Sequence, residues 1–450
     1  MKHVFSMANT RMKLLAAALL VSAAAVAGSA VATTTVGGGA TLPAGGYVGW
    51  SFLTGPVGSD RLTTAANVDP NSLFGAWAAS ASNTVQYCQT GSGVGKRVLI
   101  GDPTVSATGV CGNFSGTVAT TGFSELSTAL VKPHFAASDA PLAAAEYSTF
   151  VTNNGTAKGE PVQFPAVIGS VAIIYKNSDT HVGSKIALTN AQVCGVFAGT
   201  ITDWHTLNSA FVSKPIKVVY RSDGSGTSFS LSNHLAASCG LKAPAAHFVT
   251  DQTFLTAVAA LPIATSANKI GASGNPNVLI SVNAPANDGA IGYAETANTL
   301  LHPGPGSAAN YATVDGKDPV TDLANILPVT TVFDKVLGTP SSVDGTATLV
   351  TQAPNTTANC LGIVNPVDYA TGLIPTGGSA KGYPILAVSY LMGNQKGNTT
   401  TDLAAVRGLL SSPYNTTIRP NVTTIGSGTG FAFLTSTGVS AAKVTLCTAI

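Results

Sequence analysis

The sequence has 450 residues, of which 45% are hydrophobic and only 9% charged, with 48 glycines and a formal net charge of +2. Such a chain is long enough for two or three domain-sized units around a large core, and its near-neutral charge without a basic run excludes nucleic acid and anionic membrane surfaces as partners. Past the N-terminus no run reaches the roughly 18–20 apolar residues that span a bilayer, so the mature chain reads as water-soluble.

The first element is an export signal. Arg11 and Lys13 precede an apolar run over residues 14–27, and GSAVA (28–32) offers small-residue cleavage positions at Ala30 and Ala32. Met1, Met7 and Met12 are all available as starts. No cysteine follows the run, so no lipid anchor is expected, and 1–32 is read as the signal peptide of a periplasmic or secreted protein.

GGGATLPAGGYVGW (37–50) places Thr41 just before Pro43, where its hydroxyl can cap a helix or contact an anion. Gly45, Gly46 and Gly49 each cost that helix about 1 kcal/mol relative to alanine, which points to a weak helix on a close-approach surface. TGSGVGK (90–96) fails as a nucleotide P-loop: the glycine spacing is one residue short, and Arg97 stands where a metal-binding Ser or Thr is needed. It leaves Ser92, in a flexible turn, as a candidate donor to an oxyanion. FAASDAPL (135–142) ends an apolar segment in Ser138 and Asp139 before Pro141. Either residue suits a helix N-cap. An ionised Asp139 can otherwise only accept, which suits an anion that still carries a proton.

The runs VLI (98–100), SVAIIYK (170–176) and IKVVY (216–220) read as strands alternating with helix-like stretches, an α/β pattern. IKVVY feeds RSDGSGTS (221–228), a glycine-serine loop that opens a helix. The first amides of such a helix lack intrahelical partners and lie at the positive end of its dipole. Arg221 adds a planar, permanently charged fork matched to paired oxygens. The plainer alternative is a turn with a solvated arginine. Residues 265–376 are rich in Asn, Pro and Gly and read as loops and insertions.

Cysteines stand at 88, 111, 194, 239, 360 and 447. Fifteen pairings of six cysteines are possible. Cys88–Cys111, Cys194–Cys239 and Cys360–Cys447 are favoured because neighbours close the shorter loops and no C-x-x-C pair occurs. There is no C-x5-R loop, HExxH or G-x-S-x-G, and the seven histidines are scattered, so no catalytic residue, metal ligand or cofactor is assigned.

Eight segments, in order, resemble the phosphate-binding proteins of phosphate-specific ABC transporters, and most closely their DING-like subgroup. These are GGGATLP, the GSG turn at Gly91, ASDAPL, QFPAVIGSVAI, VCGVFAGTITDW, RSDGSGTS, GAIGYAE and GYPIL. Thr34, Thr35 and Val36 replace that subgroup's D-I-N, and Leu42 replaces its usual phenylalanine. The resemblance implies a two-lobed α/β fold, the type II periplasmic binding protein, with ligand in the cleft between lobes. It implies lobes over 33–163 plus 383–450 and over 164–382, with crossovers near 164–165 and 383–384 and the loop-rich 265–376 in the second lobe. Inorganic phosphate is then the ligand of a monomer, with an ABC permease as candidate partner. The implied contacts are Thr41, Leu42 (through its N–H), Ser92, Ser138 and Asp139 from one lobe. Arg221, Ser225, Gly226 and Thr227 come from the other, with Asp223 holding Arg221. Neighbouring relatives described as low-molecular-weight alkaline phosphatases supply the alternative function.

Overall fold

The structure, a computed structural model, describes residues 33–51, 61–105, 111–112, 123, 133–302, 310–352 and 360–448. The signal peptide read over 1–32 lies outside them.

The α/β reading is realised as repeated strand–turn–helix units. β1 (Thr34–Gly39) leads to α1 (Ala44–Val48), β2 (Thr84–Cys88) to α2 (Ser92–Ile100), and β3 (Phe135–Ser138) to α3 (Ala144–Lys158). β4 (Pro161–Tyr175) then runs unbroken for 15 residues, every one buried. β5 (Lys217–Arg221) leads to α4 (Gly226–Ser238) and β6 (Lys269–Ala272) to α5 (Asn275–Asn283), followed by β7 (Ala290–Glu295), β8 (Ile326–Val332), β9 (Leu386–Asn394) and β10 (Phe431–Thr437). The near-continuous apolar sequence of β4 is what a strand covered on both faces requires.

β4 joins two sets of strands. Over Pro161–Ser170 it pairs antiparallel with β9, and over 167–169 with β10. β9 continues to β3, and β3 to β1 and β2, the last three mutually parallel. From Val171 to Tyr175 it pairs instead with β7, which lies parallel to β5, itself parallel to β6. In each set the parallel strands end at the same edge, and their C-terminal turns face one crevice, where α/β sheets bind ligands.

Two sequence expectations are corrected. Val98–Ile100 is the last turn of α2, not a strand; Gly101, at φ +73°, ends that helix and returns its amide to the carbonyls of Arg97 and Val98. A three-residue apolar run fits either state, and the buried helix face decides it. Residues 265–376 also hold more structure than their composition suggests, and they do not all join the second strand set. β6 and β7 do, but β8 lies parallel to β10 in the first.

Beyond β8 a hairpin of Lys335–Leu337 and Leu349–Thr351 touches both sides of the crevice. The Leu337 amide donates to the Leu142 carbonyl at 2.9 Å, and at the tip Val343 and Gly345 accept from the amides of Ala243 and Thr250, each at 2.8 Å. Gly345 has φ +70°, and a Cβ there would lie 1.8 Å from the Phe248 carbonyl oxygen. Gly345→Ala therefore lowers stability by about 1–3 kcal/mol in urea unfolding. A wild-type midpoint would contradict the docking of the tip.

Cys88 pairs with Cys111, Cys194 with Cys239 and Cys360 with Cys447, with Cα–Cα separations of 5.8, 5.6 and 5.5 Å. This neighbour pairing fits an oxidising compartment. No helix among the described residues is long and apolar enough to cross a membrane.

Candidate functional site

Arg221, the last residue of β5, is only 1% exposed and organises the crevice. Its amide donates to the Tyr293 hydroxyl at 3.1 Å, which fixes the backbone before the loop begins. The guanidinium is bidentate on Asp223, Nε to Oδ1 at 2.7 Å and Nη2 to Oδ2 at 2.5 Å. Nη1 donates to Asn275 Oδ1 at 2.9 Å, to Thr227 Oγ1 at 3.4 Å and, across the crevice, to Thr41 Oγ1 at 3.3 Å. Burial works against the charge on Arg221, but Asp223 outweighs it and holds the pKa above its ordinary value. Burial likewise opposes ionisation of Asp223, and Arg221 outweighs it there too, so the carboxyl lies below its usual range. The pair stays ionised.

The facing wall is built from the ends of β1, β2 and β3. Ser92 is the first residue of α2 and is 1% exposed, so it is not in a flexible turn. Its hydroxyl accepts the Asp139 amide at 3.1 Å and lies 3.4 Å from Asp139 Oδ2. Asp139 is buried, and its Oδ1 has no hydrogen-bond partner among the described residues. Burial pushes its pKa up to about 7 against the opposing effects of Ser389, Arg221 and Ser92.

The walls are in contact. The Gly93 amide donates to the Gly224 carbonyl at 2.8 Å. A Cβ on Gly226 would lie 2.4 Å from Asp139 Cβ and 2.5 Å from Ser92 Oγ, so only glycine fits there while the crevice is shut.

The remaining expected residues fall in supporting places. Ser225 is the N-cap of α4, its hydroxyl accepting the Ser228 amide at 3.2 Å. The Ser138 hydroxyl closes its own turn, accepting from the Ala140 amide at 3.1 Å and donating to the Ala140 carbonyl at 2.6 Å. Neither Ser138 nor Asp139 caps α3, whose N-cap is Ala143. Thr41 caps nothing: α1 starts from Pro43 without a side-chain cap. Leu42 sits fully buried in the core. Lys96 of the failed P-loop is also buried, paired with Glu146 at 2.9 Å.

Asn275, Tyr293, Ser389 and Glu295 belong to the crevice and carried no local signal, although GAIGYAE contains two of them. Glu295 is fully buried, and its carboxylate accepts the amides of Ala297 and Asn298. Burial pushes its pKa well up against those bonds. Among the described residues no group of three or more His, Cys, Asp or Glu gathers to hold a metal ion.

The crevice thus offers a cationic fork, hydroxyls from both walls, the amides that open α4 and one unpaired carboxylate oxygen. That set suits a small oxyanion that keeps a proton: the neutral donors and the Nη1 side of the Arg221 guanidinium, whose Nε–Nη2 edge Asp223 occupies, take its oxygens, and Asp139 Oδ1 accepts its hydrogen.

The sequence model of the PBP superfamily domain matches residues 54–406. An alkaline phosphatase L of Pseudomonas aeruginosa is 28% identical over 254 residues, covering 55% of this chain and 60% of that protein. The chain therefore spans less than two thirds of that relative. A phosphate-binding protein from an unknown prokaryotic organism is 28% identical over 305 residues, covering 63% of this chain and 72% of its own. The crystal structure of a phosphate-binding protein from Stenotrophomonas maltophilia aligns over 90% of this chain and 91% of its own, with TM-score 0.53 and 26% identity. A high-affinity periplasmic phosphate-binding protein, PfluDING, solved with bound phosphate, aligns over 92% of both chains with TM-score 0.54 and 23% identity, a likeness of fold.

Proposed function

The chain belongs to the PBP superfamily, and on that premise we propose that it is an exported protein whose two strand sets are lobes closing on inorganic phosphate. The lobes divide where β4 changes partners, at Ser170 and Val171, and the chain returns at Ile385, whose carbonyl accepts the Val171 amide at 3.0 Å. Capture serves ABC-type uptake through a permease or scavenging outside the cell.

The observation that carries this reading is the buried Arg221 fork, held by Asp223 and reaching Thr41 on the other lobe, opposite the unpaired oxygen of Asp139. Binding is dehydration offset by many fixed donors. An ionised Asp139 accepts the proton of hydrogen phosphate. Sulfate has none to give at neutral pH, and two anions facing each other in a buried site cost several kcal/mol.

Asp139→Asn therefore erodes the preference for phosphate over sulfate by about tenfold or more in titration calorimetry, because an amide can also donate. Unaltered selectivity in the variant would place the discrimination elsewhere. The same variant tests the titration. A carboxyl raised to about 7 by burial contributes stability that is present below about pH 4 and is lost as pH rises through about 7. Glu295, raised in the same direction, adds to the slope. Melting of phosphate-free protein from pH 4 to 9 is expected to fall more steeply for wild type than for Asp139→Asn; parallel curves would count against the shift.

Hydrolysis of phosphomonoesters is the second reading, favoured by the name of the Pseudomonas aeruginosa relative and by one contact, the Ser92 hydroxyl 3.4 Å from Asp139 Oδ2, a candidate nucleophile beside a candidate base. A chromogenic phosphomonoester separates the two. A binder shows no turnover, whereas activity that falls in proportion in Ser92→Ala and Asp139→Asn would make the protein a phosphatase.

A further inference from the structure

Arg61 lies at the start of a short strand, Leu62–Thr63, that pairs antiparallel with β2. Its backbone is fixed to the first lobe: its carbonyl accepts the Gln89 amide at 2.9 Å, and its amide donates to the Gly112 carbonyl at 3.3 Å, beside the Cys88–Cys111 disulfide. The side chain crosses to the second lobe. Nη2 donates to both the carbonyl and the hydroxyl of Ser273, each at 3.3 Å, and the residue is 6% exposed.

Ser273 begins the turn between β6 and α5, and that turn supports the Arg221–Asp223 pair. The Gly274 amide donates to Asp223 Oδ1 at 3.1 Å, and Asn275 Oδ1 accepts from Arg221 at 2.9 Å. Three consecutive residues thus hold Arg61, Asp223 and Arg221 in turn. Burial lowers the Arg61 pKa to about 10, with Asp223 raising and Arg221 lowering it, so Arg61 is cationic at neutral pH. A guanidinium beside the N-terminal end of α5 faces the positive end of the helix dipole, so helix stabilisation does not explain its place.

We infer that Arg61 is a positioning residue for the proposed phosphate site: bound to Ser273 only while the lobes are together, it fixes the turn that aims Arg221 and sets how long the anion is retained. The inference rests on the phosphate reading, but its structural half can be tested without a ligand.

The experiment compares full-length wild type, Arg61→Met, Arg61→Lys and Ser273→Ala. Stopped-flow displacement of phosphate is expected to show dissociation about tenfold or more faster in Arg61→Met and Ser273→Ala, with association changed by no more than about threefold. Arg61→Lys is expected to fall between, since an ammonium keeps the charge but not the fork. A merely structural role would lower the melting temperature without this split or rescue. Unchanged dissociation in folded Arg61→Met and Ser273→Ala overturns the inference. Small-angle scattering of phosphate-free protein is expected to give a larger radius of gyration for Arg61→Met than for wild type; identical profiles overturn the cross-lobe hold. If wild type fails to bind phosphate, the functional reading falls and the scattering arm alone decides the role of Arg61. If Arg61→Met fails to fold, Arg61→Lys and Ser273→Ala decide it.

Discussion

Arg221→Ala weakens phosphate binding by about 2–5 kcal/mol, a loss of roughly 30-fold to several thousand-fold. The range follows from what the side chain does in the crevice. It supplies the only cation hydrogen-bonded to both Thr41 and Thr227 among the described residues, and it neutralises Asp223. Removing it deletes the fork and leaves the Asp223 carboxylate facing an incoming anion, so part of the loss is repulsion newly exposed rather than attraction removed. Arg221→Ala/Asp223→Ala consequently recovers part of the affinity. Calorimetry on protein with wild-type circular dichroism is the check, and unchanged affinity in folded Arg221→Ala would move the site elsewhere.

Gly226→Ala reduces apparent affinity by about 5-fold to 160-fold while leaving the unliganded fold intact. The added methyl has no room, since Asp139 Cβ and Ser92 Oγ of the facing wall stand 2.4 and 2.5 Å from where it would be built. Gly226 is the first residue of α4 and carries no positive φ, so alanine suits the local backbone and raises helix propensity. Overpacking a closed interface costs about 1–3 kcal/mol or more, and a binding-competent state made rarer by that factor lowers affinity in proportion. The expected pattern is weak phosphate binding by a folded protein and, with phosphate present, a scattering profile more expanded than that of wild type. Wild-type affinity would mean that the lobes do not meet at Gly226 when ligand is held.

The strand, loop and helix around Arg221 were legible because each boundary has a local chemical cause: β-branched residues in IKVVY, a loop of small residues, and Ser225 as N-cap. The disulfides were legible from spacing and compartment. What escaped the sequence acts at a distance. Asn275, Tyr293 and Ser389 meet Arg221 or Asp139 only because β6, β7 and β9 place them there, and no short motif encodes such a meeting. Arg61 stands in no recognisable pattern and matters because of a turn more than 200 positions away. Ser92 looked flexible amid glycines, yet it opens α2, is buried, and its hydroxyl accepts the Asp139 amide from its own wall. The division of 265–376 between two strand sets was hidden because its strands are short and separated by Gly and Pro, and pairing partners are chosen by tertiary packing.

If the crevice holds phosphate because its donors are neutral or paired and Asp139 accepts the ligand's proton, its anion selectivity follows. Titration calorimetry of the phosphate-free, disulfide-bonded protein at pH 8, first with phosphate and then with sulfate, reads that selectivity. One phosphate per chain is expected, with a dissociation constant near or below about 1 µM and sulfate at least about 100-fold weaker. Absence of phosphate binding, or sulfate bound as tightly as phosphate, would contradict it.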